Sequence, residues 1–169
     1  LLLALGLVGA EPSTGASWIW FPEEAAVEGA GQTRYFRCRL ELAQTPRQVN
    51  LRARWDDGAS FWVNGEAVTP RSDGPDGTVW DLTSQLRRGE NVLALAVTNS
   101  IGAGGLIVRG TITRADGSVE EIVSDKKWRV SRTASDGWNK PGFNDSTWAA
   151  ARVVGSAYAS PWYRHPTFH

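Results

Sequence analysis

The sequence predicts an all-β protein, an antiparallel β-sandwich, on three observations. Hydrophobic residues recur with a period of two, turn-forming pairs separate these runs at short intervals, and no long stretch carries helical periodicity. Alternation buries one face of a strand and wets the other. Many short strands with no helices between them leave antiparallel sheets packed face to face.

The elements follow in order. Phe36, Cys38, Leu40 and Leu42 alternate with Arg37, Arg39 and Glu41, and Val49, Leu51, Ala53 and Trp55 alternate with Asn50, Arg52 and Arg54. Leu93, Leu95 and Val97 are interleaved with Ala94 and Ala96. That strand is apolar on both faces and is expected to be central, with its outer side covered. Further strands are expected at 106–113, 119–123 and 128–131. Asp57-Gly58, Asn64-Gly65 and Asp116-Gly117 favour positive φ and are expected to close hairpins. Arg88–Asn91 marks another turn, and TPRSDGPDG (69–77) is a surface loop by composition. Only 82–86 and 145–151 have room for a helical turn.

The chain opens on LLLALGLVGA, ten residues without a charge. A bilayer span needs about 20 apolar residues, so residues 1–10 are read as the remnant of a secretory signal, with Val8-Gly9-Ala10 as small residues before a cut. Residues 11–160 form the sandwich module, and 161–169 (PWYRHPTFH) lose the alternation and begin a linker or tail. Secretion or periplasmic location is expected. Eighteen basic residues balance eighteen acidic ones, which argues against a general affinity for nucleic acid or anionic membrane. Six arginines fall between Arg34 and Arg54. Those at 37, 39, 52 and 54 project outward, either as a solvated sheet face or as a basic patch for a ligand.

The residues for catalysis are missing. There is no Gly-x-Ser-x-Gly elbow, P-loop, cysteine pair or His-Glu-x-x-His. His165 and His169 stand in the tail, separated by Pro166, without a carboxylate partner for a metal. Cys38 is the lone cysteine and points inward, as a buried inert thiol does. Asp56-Asp57 and Glu120-Glu121 are neighbours on strands and so face opposite ways, which is wrong for a catalytic dyad. Asp73 and Asp76 flank Gly74-Pro75 in an oxygen-rich loop, a thin donor set for Ca²⁺. No cofactor is expected, and the chain itself is not expected to be an enzyme.

Tryptophan is the anomaly, with nine residues. Trp18, Trp20, Trp128 and Trp148 are expected to plug the ends of the sandwich. Trp62 differs: with Phe61 and Val63 facing the core it faces out, and it is expected across from Arg52 or Arg54 on the neighbouring strand. It is either a cation–π guard of the sheet surface or a platform for a flat ligand.

The ordered fragments SWIWFP (17–22), TRYFRCRLEL (33–42), ARWDDGASFWVNGEAV (53–68), WDLTSQLRRGENVLALAVTN (80–99), GGLIVRGTI (104–112) and SDKKWRVS (124–131) resemble a galactose-binding-like jelly roll. The chain is similar to the sugar-binding domains of family 2 glycosidases and bacterial α-L-rhamnosidases. GWNKPGFNDSTWAAARVVG (137–155) resembles the F-D-D-S-x-W segment of such domains, with Asn144 in place of the first Asp. The resemblance implies a non-catalytic module of a larger exported protein. Together with the aromatic surplus, it makes a polysaccharide or oligosaccharide the expected partner, alongside a downstream domain of the same polypeptide. The candidate sugar-binding residues are Trp62 with Arg54 on an outer face, or Asp57 and Asn99 at loop ends. The alternative is a ligand-free module that packs on a neighbouring domain.

Overall fold

The computed structural model describes residues 15–23, 31–73 and 77–157. The expected signal remnant, Asp76 and both histidines lie outside these residues. Twelve strands run β1 Ser17–Trp20, β2 Gln32–Leu42, β3 Gln48–Asp56, β4 Gly58–Val63, β5 Glu66–Ala67, β6 Thr78–Asp81, β7 Gly89–Asn99, β8 Gly105–Thr113, β9 Val119–Val123, β10 Arg129–Ser131, β11 Ala149–Ala150 and β12 Arg152–Ser156. They form two antiparallel sheets. The first has the order β12-β1-β8-β3-β6, with β9 also paired to β8, and the second β11-β10-β2-β7-β4-β5. No described helix exists, and none is long and apolar enough to cross a membrane.

The alternation places the core. Val49, Leu51 and Ala53 on β3 pair in register with Ile112, Gly110 and Val108 on β8, and these face Phe36, Leu93, Leu95 and Val97 of the second sheet in one buried cluster. Gly110 is required by a close approach. A Cβ there would lie 2.6 Å from the Asn50 carbonyl oxygen and 2.8 Å from Leu51 Cδ1.

Two of the three expected hairpins form. Asn64 and Gly65 take φ of 54° and 89° and turn β4 into β5, as a primed two-residue turn demands. Asp116-Gly117 joins β8 to β9, with Asp116 Oδ1 accepting from the Ser118 amide at 2.8 Å. Asp57-Gly58 does not close a hairpin. β3 belongs to the first sheet and β4 to the second, so the chain crosses between layers there. A two-residue turn signal specifies a reversal, while which sheet the next strand joins is decided by tertiary pairing.

The apolar outer side of β7 is covered, as its sequence requires, by residues 138–148. Val92 and Ala94 are completely buried beneath them. Arg37, Ala94 and Trp62 form one register row across β2, β7 and β4, and the small alanine in the middle leaves a trough. Trp138 fills it, with its ring centroid 5.1 Å from Tyr35 on one side and 5.5 Å from Trp62 on the other. Arg37 projects outward as expected, yet it is buried rather than solvated. Its Nη1 donates to Asp145 Oδ2, its Nη2 to the Lys140 carbonyl at 3.1 Å, and its guanidinium lies 5.0 Å over the Phe143 ring. Trp148 stacks at 6.1 Å on Trp138 over this outer face, so it does not plug a sandwich end. Trp20 and Trp128 belong to the main core, whereas Trp18 packs with Ile107 in a smaller cluster.

A second buried ion cluster closes the start of β2. Glu23 accepts from Arg34 Nε at 2.6 Å and Arg132 Nη2 at 2.9 Å, and both guanidinium groups lie over Phe21.

Two outcomes are expected in urea unfolding. Gly110→Ala should cost about 1–3 kcal/mol from overpacking, while Gly58→Ala, with open space around its Cβ, should stay close to neutral. Asp145→Ala strands the buried Arg37 charge and should cost about 3–5 kcal/mol. Arg39→Ala, which removes the exposed partner of the same carboxylate, should cost about 1 kcal/mol or less.

Candidate functional site

At one edge of the sandwich, β6 of the first sheet and β4–β5 of the second splay apart around a groove of about 350 Å³. Its wall is aromatic. Trp80 pairs in register with Leu51 and turns inward, where its ring meets Phe61 edge-on at 4.9 Å and Trp55 at 6.1 Å. Trp55 points inward by alternation, but β3 is ending there and the ring is only half-buried. Trp62 contributes to the lining too. The Trp80 Nε1–H has no acceptor among the described residues.

Polar groups converge on the same groove. Thr78 Oγ1 donates to Asp73 Oδ1 at 2.7 Å, and Ser60 adds a second hydroxyl. One carboxylate and no basic residue line it. Broad aromatic faces beside a few hydrogen-bonding groups, in a cleft within the ~300–1,000 Å³ range of small-ligand sites, form a surface that stacks apolar ring faces and orients hydroxyls.

The four sequence candidates are distributed differently from expectation. Trp62 lines the groove, but its partner is Trp138 and not an arginine. Arg54 lies in the other sheet, opposite Ile107 of β8, so the cross-strand pairing of Trp62 with Arg52 or Arg54 does not occur. The reason is the layer change at Asp57, which makes β3 and β4 successive in sequence but not adjacent in a sheet.

Asp57 and Asn99 do come together, away from the groove lining. The Asp57 amide donates to the Thr98 carbonyl at 2.7 Å, and the Ser100 amide donates to Asp57 Oδ2 at 2.6 Å. Asn99 is buried and its Nδ2 donates to the Gly102 carbonyl at 2.9 Å. These bonds lock the layer crossing to the end of β7. The Ser100 amide holds the Asp57 carboxyl below the ordinary carboxylate range. Cys38 packs against the core but is only half-buried, not fully so as expected, and desolvation, aided by Asp125, pushes its thiol up to about 12, far from a nucleophile's range. Among the described residues no group of three or more metal-ligating side chains exists, and Asp73 is engaged with Thr78.

The sequence reading missed Trp55, Trp80, Ser60, Thr78 and Asp73 as site residues. Alternation assigned Trp55 to the interior, while Trp80 stands in the four-residue strand β6, which the sequence reading did not assign. Alternation carries no signal that the sheets part at this edge and turn an inward ring into a groove wall.

Two antiparallel layers with open edges and a crossing connection make this chain an all-β sandwich, consistent with a galactose-binding-like domain. Its relatives are sugar enzymes and a lectin. The chain is 34% identical over 159 residues to an alpha-L-rhamnosidase of Streptomyces avermitilis, covering 89% of this chain and 15% of that protein. The crystal structure of that enzyme complexed with L-rhamnose superposes with a TM-score of 0.79, over 92% of this chain and 16% of the enzyme. A Pleurotus ostreatus lectin, apo, is 26% identical with a TM-score of 0.78, over 90% of this chain and 45% of the lectin. The same lectin in complex with GalNAc is 27% identical with a TM-score of 0.75. No family model matches the chain. The chain thus spans about one-seventh of the rhamnosidase it matches.

The depressed Asp57 value has a definite sign in stability. A carboxylate with a folded value below its unfolded one, about 3.9, contributes fully above pH ~5. That contribution is lost as pH falls through the folded value. The stability difference between wild type and Asp57→Asn should therefore be flat at neutral pH and shrink on acidification, as followed by chemical unfolding at a series of pH values.

Proposed function

We propose that this chain is a non-catalytic carbohydrate-binding module of a larger exported glycosidase. The observation that carries the reading is the aromatic groove, in which Trp55, Trp62 and Trp80 stand beside Ser60, Thr78 and Asp73. A pyranose ring has apolar C–H faces and equatorial hydroxyls. Its face stacks on the indoles while its hydroxyls meet Asp73 Oδ2, the Thr78 hydroxyl and the Ser60 hydroxyl. Asp73 is already oriented by its bond from Thr78, so little ordering accompanies binding. With a single acid and no base in the lining, the groove suits a neutral sugar.

Similarity to a segment of a rhamnosidase and to a lectin supports the carbohydrate class and the larger polypeptide. The apolar opening residues 1–10 support export. The absence of an acid–base constellation in the sequence supports a binding role, with the chemistry assigned to another domain. The groove sits on an open edge, where a polysaccharide chain can pass without threading.

Calorimetric titration of the chain against L-rhamnose, GalNAc and neutral plant oligosaccharides tests this. At least one should bind, and Trp62→Ala should weaken it about tenfold or more. Trp62 also supports Trp138, so Asp73→Asn serves as the variant that spares the packing, with a loss in the same direction. Absence of heat with every glycan, or unchanged affinity in both variants, would overturn the assignment.

A further inference from the structure

The edge opposite the aromatic groove carries a second one, of about 380 Å³, between β9 and the β2–β10 pair. Its character is different. Leu40 and Ile122 give it an apolar floor, and Arg39, Lys127 and Arg129 stand at its exposed rim. Four carboxylates also line it: Asp125, which accepts from the Lys127 amide at 2.7 Å, and three that are committed to arginines. Glu120 and Glu121 are held by Arg114 and Arg109, which lie outside the groove. Asp145 serves both Arg37 and Arg39, one negative charge against two positive ones. Among the described residues neither Lys127 nor Arg129 has an ion-pair partner. With the two glutamates neutralised from outside and Asp145 cancelling one of its two arginines, three positive charges remain against Asp125, a modest positive excess above an apolar floor in a chain that is neutral as a whole.

We propose that this second groove binds the carboxylate of an acidic sugar, a uronate residue, so that the module grips an acidic glycan at a site distinct from the aromatic one. Guanidinium groups present a planar fork that matches a carboxylate, and Lys127 adds a point charge. The apolar floor receives the C–H face of the ring. The anion is assigned to a sugar because the inference rests on the carbohydrate-binding reading above. The two grooves then divide the work: one is aromatic with no basic residue and takes a neutral residue, the other is cationic and takes a charged one. A glycan carrying both gains from the second contact being intramolecular.

The test titrates the chain with a short oligogalacturonate and with the same oligomer after its carboxylates have been reduced to alcohols. The acidic form should bind about tenfold more tightly, and the preference should fall as salt rises. Lys127→Glu combined with Arg129→Glu, both exposed positions, should abolish the preference, while Asp73→Asn should leave it in place. Equal binding of the two oligomers, or a preference that survives the double charge reversal, overturns this inference. Retained binding of neutral sugars in that case leaves the aromatic groove standing. Acidic binding with no neutral binding would uphold this groove and overturn the other.

Discussion

The buried pairing of Arg37 with Asp145 is the interaction on which the second sheet depends. A guanidinium out of water is costly unless a carboxylate and further acceptors surround it. Burial pulls Arg37 below its ordinary value, and Asp145 pushes it back up. Two backbone carbonyls, of Lys140 and Phe143, accept from its Nη atoms, while its buried Nε has no acceptor among the described residues. All of these partners come from 140–145, so the charge fixes where the covering segment lies. Once placed, that segment brings Trp138 between Tyr35 and Trp62 and buries the alanine trough of β7. The apolar outer face of β7 is thus covered by a segment that a buried charge on the adjacent strand β2 holds in place.

The same arrangement decides what Trp62 can do. Its outward face supports Trp138, which removes the reading in which it guards the sheet against an arginine, and its remaining surface borders the groove. A sandwich, unlike a closed barrel, leaves its edges open. Here the two edges have acquired opposite chemistry. Inward aromatic residues are stranded where β3 and β6 end on one side, and basic residues collect between β9 and β10 on the other. Both grooves proposed as recognition surfaces lie along the margins of the two sheets.

Much of the fold was legible in the sequence, because period-two alternation and the Asn64-Gly65 and Asp116-Gly117 turns act locally. The need for a cover over β7 was legible too, from Ala94 and Ala96 between larger apolar residues. Its identity was not. Residues 138–148 follow β7 by some forty positions and carry no periodicity, so only tertiary packing reveals them. The layer change at Asp57 was hidden for a related reason: Asp-Gly signals a bend but not its destination. Hence Trp62 and Arg54, eight residues apart, ended in different sheets. Of the candidate site, Trp62 was found as the ring that alternation sends outward, whereas Trp55 was concealed by being assigned inward and Trp80 by standing in a strand of four residues, too short to show a period.

The covering segment also differs from the sheets in how its own backbone is held. Its amides bond to nearby carbonyls, Trp138 to Ser135, Lys140 to Gly137 and Trp148 to Asp145, until β11 joins the ladder. Its ties to the sheet run through side chains: the Gly142 amide donates to Glu90 on β7, and Arg37 of β2 donates to the Lys140 and Phe143 carbonyls. The segment is thus held by side chains where the strands are held by a ladder, and its amides are expected to exchange before those of the strands beneath it. Beneath it lie Tyr35, Trp62 and the alanine trough together, an adhesive face that the fold keeps covered.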